Sequence, residues 1–323
     1  MRLLFILSTL ICSIVGMVAS AAESAPLTIA VIPKGTTHEF WKAVEAGAHE
    51  AERELNAAGK PVKIVWKGPL REDDRASQID VIQNFVAKGV SGIVLAPLDS
   101  KALVAPVEMA AAAGIPTVII DSPLDSLAPV SVVATNNRTG GILAAQCLAK
   151  AAGAKGKALM LRYTVGSAST ELREEGFMTG IKAYTEIKIV SQDQHAGATR
   201  ESALTTAQNL LNRWGSDVNA VFTPNESSTA GMALALQEAG LAGKVVHVGF
   251  DASPTLIQAL REGRIHGLVV QDPWRMGYLG VRTCAAHLRG EKVEAHVDTP
   301  LALVTKDNLD TPEIQGLIKG GKH

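Results

Sequence analysis

Six short stretches of this sequence collect side chains suited to gripping a small polar molecule. The first reads Lys34-Gly35-Thr36-Thr37-His38-Glu39-Phe40-Trp41, a cation, an imidazole and two rings. Asp121-Ser122 come next, then Arg173 behind Ser169-Thr170, then Asn225-Glu226-Ser227-Ser228, then Asp251, then Gln271-Asp272. Carboxylates, amides, hydroxyls and a guanidinium both donate and accept, as sugar hydroxyls do, while the rings can pack against sugar C–H faces. Taken singly, each has a plainer reading. Phe40 and Trp41 at a helix start also suit a core; Asp121, Asn225 and Asp251 also suit helix N-caps. Arg173 also fits a solvated helix face, Lys34 and His38 an exposed loop, and Gln271 alone says little. Their joint placement favours a binding site.

That placement comes from the elements around them. Short β-rich runs recur at 27–33, 62–67, 92–96, 116–121, 130–134, 157–163, 187–192, 220–223, 245–250 and 267–271. Most of the six stretches begin where such a run ends. Between the runs lie helical segments; in the first, Phe40, Val44, Ala48, Ala51 and Leu55 fall on one helical face. Its start, Thr36-Thr37-His38-Glu39, reads as a capping box with Glu39 favourable to the helix dipole. Apolar rather than alternating strands, separated by helices, predict parallel sheets covered on both faces. In such sheets ligands sit beyond the carboxyl ends of the strands, where these residues are.

Ten strands exceed one ordinary sheet, and 323 residues suit two domains. Five runs precede five, with no Pro/Gly/Ser-rich linker between the halves. Strand-like crossovers at Ala134-Thr135 and Gln271-Asp272 are therefore expected to join them as a hinge.

The charges nearly cancel, 31 Lys+Arg against 32 Asp+Glu, without the basic excess that nucleic-acid binding demands. Met1-Arg2, an apolar run from Leu3 to Val18, and Ala19-Ser20-Ala21-Ala22 read as a cleavable signal peptide over 1–22. The apolar run is shorter than a membrane span requires. Cleavage leaves Cys147 and Cys284, which are expected to be free thiols. No Cys-x-x-Cys or His-x-x-x-His spacing suggests a metal, and no cofactor is expected.

Further motifs carry a family resemblance: GIVLAPLDS at Gly92–Ser100, GIPTVIID at Gly114–Asp121, REEGF at Arg173–Phe177, VFTPNESS at Val221–Ser228 and VGFDASP at Val248–Pro254. In this order, behind the Phe40-Trp41 pair, the chain resembles the ribose-binding-protein group of periplasmic solute-binding proteins from about Leu27 to Lys306. The resemblance implies an α/β fold of the type I periplasmic binding protein kind. That fold has two Rossmann-like lobes with parallel sheets, joined by a three-crossover hinge. It places 27–134 plus 272–298 in the first lobe and 135–271 plus 299–323 in the second. It also implies a monomeric, periplasmic substrate-binding component of an ABC importer, with a membrane permease as partner.

Carried over position by position, the group's sugar contacts fall on His38, Phe40, Trp41, Asp121, Ser122, Arg173, Ala198, Asn225, Asp251 and Gln271. Asp121, Arg173, Asn225, Asp251 and Gln271 keep the residue type of pentose binders. His38 stands for an Asn, Ser122 for an Arg, and Ala198 for a stacking ring, so the ligand is expected to differ from a pentose. Lys34 and His38 become candidate new contacts. A repressor of the same superfamily would carry a DNA-binding helix pair where the leader lies. An enzyme is disfavoured, because no Gly-x-Ser-x-Gly elbow, Gly-x-Gly-x-x-Gly turn or P-loop is present. A chemosensory or autoinducer receptor shares the fold and remains the alternative.

Overall fold

The computed structural model describes residues 26–215 and 217–319; the leader expected over 1–22 lies outside them. From the amino end run β1 (Leu27–Ile32), α1 (Glu39–Ala57), β2 (Val62–Trp66), α2 (Arg75–Ala87), β3 (Gly92–Leu95), α3 (Val104–Ala112), β4 (Thr117–Ile120) and β5 (Ser131–Thr135). The second half gives α4 (Asn137–Ala151), β6 (Lys155–Met160), α5 (Ala168–Ile181), β7 (Glu186–Ser191), α6 (Arg200–Trp214), β8 (Ala220–Phe222), α7 (Glu226–Glu238), β9 (Val246–Phe250), α8 (Pro254–Arg261) and β10 (Gly267–Gln271). Then follow α9 (Pro273–Leu288), β11 (His296–Thr299), β12 (Leu301–Val304) and α10 (Pro312–Lys319).

Two six-stranded sheets result, ordered β11-β5-β4-β3-β1-β2 and β12-β10-β9-β8-β6-β7. The ten strands expected from the sequence are present, and β11 and β12 extend the count. β11 (HVDT) is mostly exposed, so no apolar run announces it; β12 (LALV) is an apolar run that follows β11 without an intervening helix and so falls outside the strand–helix alternation. β11 joins β5 in parallel, whereas β12 runs antiparallel to β10. Within both sheets the first five strands repeat one doubly wound order, 2-1-3-4-5. The order therefore reverses between β1 and β3 and again between β6 and β8, where crevices form at the strand ends.

Each sheet is apolar on both faces. In the first, Ile29, Val31, Val94 and Val118 pack toward α1 and α9, and Ile32, Ile93 and Ile119 toward α2 and α3. The helices that follow the crossovers change sides. α4 leaves the first sheet and packs on α5 and the second sheet; α9 leaves the second and packs on α1 and the first. Their seams are backbone-close. A Cβ on Gly47 would lie 1.9 Å from the Trp274 carbonyl oxygen, and one on Gly277 would lie 2.0 Å from that of Val44. Across α4 and α5, Gly141 would meet the Arg173 carbonyl at 2.0 Å and Gly176 that of Arg138 at 2.2 Å.

The two cysteines repeat each other's role. Cys284 on α9 fills the space over Gly92, and Cys147 on α4 fills the space over Gly267; a Cβ on either glycine would come 2.5 Å from the sulfur. Both are buried and unpaired. Burial pushes their thiols up, to about 11 for Cys147 and about 12 for Cys284.

One local expectation fails. α1 starts at Glu39 with His38 as N-cap, and no side chain caps it. The Thr36–Glu39 capping box does not form, because the helix begins two residues later than the box requires, with Glu39 in its first position rather than its third; the His38 imidazole is engaged by Glu72 at 2.7 Å.

Gly277→Ala is expected to lower unfolding free energy by about 3 kcal/mol, the upper range of overpacking costs, in urea titration. Cys147 and Cys284 should resist alkylation at pH 8 in the folded protein and both react after denaturation, as mapped by mass spectrometry.

Candidate functional site

The carboxyl ends of both sheets face one another, and polar side chains from each meet between them. β1 delivers Lys34, and the start of α1 delivers His38, Phe40 and Trp41. The loop after β2 gives Glu72, and the residue after β4 is Asp121. From the other lobe come Tyr163 beyond β6, Ser167, Ser169, Thr170 and Arg173 at the start of α5, Asn225 and Glu226 after β8, Asp251 after β9, and Gln271 ending β10. The space left among them is about 30 Å³, room for water but not for a sugar ring.

Asp121 and Asp251 occupy matching positions, each the residue after the fourth strand of its sheet. Both are left-handed, with φ of 64° and 70°. Each amide donates to the neighbouring strand, Asp121 to the Val133 carbonyl and Asp251 to that of Val269, both within 3.1 Å. Aspartate tolerates this region better than most residues, yet it still carries strain of order 1 kcal/mol or more. The turn aims both carboxylates out of the sheet and into the cleft.

Lys34 is buried at the floor of the cleft. Its Nζ lies 2.8 Å from Asp121 Oδ2, and it donates to Ser122 Oγ at 2.5 Å and, from the opposite lobe, to Ser169 Oγ at 3.2 Å. Ser122 Oγ is itself 2.7 Å from Ser169 Oγ.

A second cluster spans the lobes around Glu72. Its carboxylate accepts from Trp41 Nε1 at 2.8 Å, from the Tyr163 hydroxyl of the other lobe at 2.8 Å, and from His38. Burial alone would favour the neutral acid. The hydrogen bond and charge of His38, with Lys34 and Trp41, outweigh it and hold Glu72 below the usual carboxylate range. Reciprocally, burial opposes the charged His38, but Glu72 and then Glu226 raise its pKa. Glu226 Oε2 is 3.9 Å from His38 Nδ1, and Arg200 pairs with the other oxygen.

In the second lobe, Arg173 lies over the Phe250 ring and donates to Asn137 Oδ1 and the Pro224 carbonyl. Gln271 donates to Asp251 Oδ1 at 2.7 Å, and Asp251 Oδ2 accepts the Glu226 amide. Burial pushes Asp251 up to about 6, against the pull of Arg173 and the Gln271 hydrogen bond. Three buried polar atoms here have no hydrogen-bond partner: Arg173 Nη2, Gln271 Oε1 and Glu226 Oε2. One donor and two acceptors are left for a hydroxylated guest.

Nine of the eleven residues singled out in the sequence line this cavity. Ser122 stands just behind, bonded to Lys34. Asn225 is both a cavity residue and the N-cap of α7, in a capping box with Ser228. Ala198 lies elsewhere, in an outer depression with Thr37, His38, Glu72 and Arg200. A further ring, Tyr163, lines the cavity, although the sequence places it as the last residue of a strand. β6 stops at Met160, so Tyr163 stands beyond the sheet and enters the cleft. Glu72 was hidden in the charged run Arg71-Glu72-Asp73-Asp74, which resembles a solvated loop. Its position after β2 was the available signal.

Comparison with known proteins agrees with this geometry. Residues 29–292 match the family described as periplasmic binding protein domain. The ribose import binding protein of Escherichia coli (strain K12) is 31% identical over 301 residues, covering 93% of this chain and 98% of that protein. A carbohydrate transporter solute-binding protein from Agrobacterium radiobacter, solved in complex with D-arabinose, is 38% identical with a TM-score of 0.86, covering 91% of this chain and 99% of that one. A solute-binding protein from Agrobacterium vitis with bound D-fucose is 35% identical, TM-score 0.85, over 90% and 99%. With its two doubly wound lobes and a cleft built from their strand ends, this chain belongs to the periplasmic binding protein family.

Proposed function

We propose that the chain is the periplasmic substrate-binding component of an ABC importer, holding a small sugar or sugar-like solute between its lobes. The observation that carries this reading is the trio of unpartnered buried atoms beside Asp121, Asn225 and Asp251. A hydroxyl can accept from Arg173 Nη2 while donating to Gln271 Oε1 or Glu226 Oε2. Relatives described as binding ribose, allose, D-arabinose and D-fucose support the substrate class. Lys34, His38, Phe40, Trp41, Asp121 and Ser122 are the first-lobe contacts in this reading. Arg173, Asn225, Asp251 and Gln271 are those of the second.

The lobes already touch across the cleft through Lys34–Ser169, Glu72–Tyr163 and the Ser100 amide on the Gly166 carbonyl. A sugar enters when these contacts part, and it holds the lobes together by bonding to both. Hydrogen bonds to charged groups contribute about 1.5–3 kcal/mol each. Turning a mostly open population into a mostly closed one takes about 5.5 kcal/mol of differential affinity. A few bonds to each lobe suffice. The closed monomer then presents one continuous face to a membrane permease. Among the described residues no helix is long and apolar enough to cross a membrane.

Thermal-shift screening of the mature chain against sugars, polyols and small amines tests the reading. A true ligand at 100 times its Kd stabilises by about 2.7 kcal/mol; no shift with any sugar or polyol would reject it. Asn225→Ser keeps an N-cap and should leave the unliganded melting point nearly unchanged while cancelling the shift. Asn225→Ala should also lose about 1 kcal/mol of stability with the cap.

The His38–Glu72 pair sets a pH window. The raised pKa of His38 gives stability present below its unfolded value near 6.5 and lost as pH rises through the higher folded value. The depressed Glu72 gives stability present above about 4.3 and lost as pH falls through its lower folded value. Unfolding free energy should therefore decline on the alkaline side of His38, and His38→Gln should flatten that limb; an unchanged limb would remove His38 from the account.

A further inference from the structure

A second cavity adjoins the sugar cleft on the side of the Gln271–Pro273 crossover. It measures about 440 Å³, within the range of small-molecule sites, against about 30 Å³ for the polar cavity. The two share a wall: Phe40, Glu226, Asp251 and Gln271 line both. Beyond that wall the lining turns apolar, with Ala43 on α1 of the first lobe facing Ile257 on α8 and Leu317 and Ile318 on α10 of the second. Charged side chains, Glu39, Lys42 and Lys319, are confined to exposed positions.

The shared wall carries the second observation. Glu226 and Gln271 are 3% and 2% exposed, and Glu226 Oε2 and Gln271 Oε1 are two of the three unpartnered atoms of the site. Phe40, the fourth shared residue, is only half-buried and presents a ring between the two spaces. A guest satisfying both acceptors therefore sits at the boundary, with hydroxyls on one side and an apolar chamber on the other. A free monosaccharide uses only the first half.

We propose that this annex is an aglycone subsite, and that the site takes glycosides whose sugar lies in the polar cleft and whose aryl or short alkyl substituent lies between α1, α8 and α10. The inference rests on the sugar reading of the cleft and adds the class of substituted sugar. Because Ala43 and Ile257 belong to different lobes, the substituent bridges the lobes as the sugar does.

Isothermal titration of the mature chain with D-arabinose, D-allose, and the methyl and phenyl glycosides of each, both anomers, tests it. At least one phenyl glycoside should bind roughly tenfold more tightly than its methyl counterpart, the gain of burying much of one ring. Ile257→Trp and Ala43→Phe, which fill the annex from opposite lobes, should each erase that gain and leave free-sugar affinity within about twofold, a difference under about 0.5 kcal/mol. Circular dichroism melts confirm that each variant is folded, and either one suffices. Free sugars that bind while every phenyl glycoside binds no better than methyl would overturn the annex, as would a gain that survives both fillings. If no glycoside binds and no sugar or polyol of the thermal-shift screen binds either, the sugar reading itself falls and the annex with it.

Discussion

A buried ammonium must have a carboxylate, and the centre of this protein is arranged around that requirement. Lys34 follows β1 inside the cleft, where an unpaired charge would be prohibitive, and Asp121 meets it from the end of β4, two strands away, at 2.8 Å. Such a pair rarely adds net stability, since desolvation offsets the attraction. Its value here is positional. With Asp121 held by Lys34, the remaining ammonium protons reach hydroxyls on both lobes, so the charge on one sheet orients groups on the other.

The second constraint is backbone geometry. Both sheets end their fourth strand with a left-handed aspartate whose amide still pairs with the next strand. Strain repeated at equivalent places in two lobes is maintained for what it positions. The two carboxylates differ by environment. Asp121 has a lysine; Asp251 is buried with Gln271 and the more distant Arg173, and burial lifts it to about 6. One fold feature thus yields a firmly paired acid in one lobe and an easily protonated one in the other.

Much of this was legible in the sequence because parallel strands buried on both faces must be apolar runs, and such runs punctuate the chain visibly. Strand ends then located Lys34, Asp121, Asn225, Asp251 and Gln271. Three things were not legible, each for a physical reason. β11 is an edge strand with too little burial to require an apolar pattern, and β12, though apolar, follows it without the helix that separates the other strands. Glu72 sits in a charged run, and only the fold reveals that one carboxylate turns inward to Trp41 and Tyr163. His38 stood among the candidate contacts, but its pairing was not legible, because sequence spacing records local partners, whereas Glu72 lies 34 positions away.

The exchange of helices between the lobes also governs how the chain acquires its structure. The first sheet lacks α9 and β11 until residues 273–299 have been made, and the second lacks β12 and α10 until residues 301–319 have been made. Neither lobe is a contiguous stretch that can finish folding while the rest is still being synthesised. Closure of both cores waits on contacts between distant parts of the chain, which slows folding relative to local packing. A chain built this way completes neither core until almost all of it has emerged, a delay that would suit a protein that must thread through a membrane before it folds.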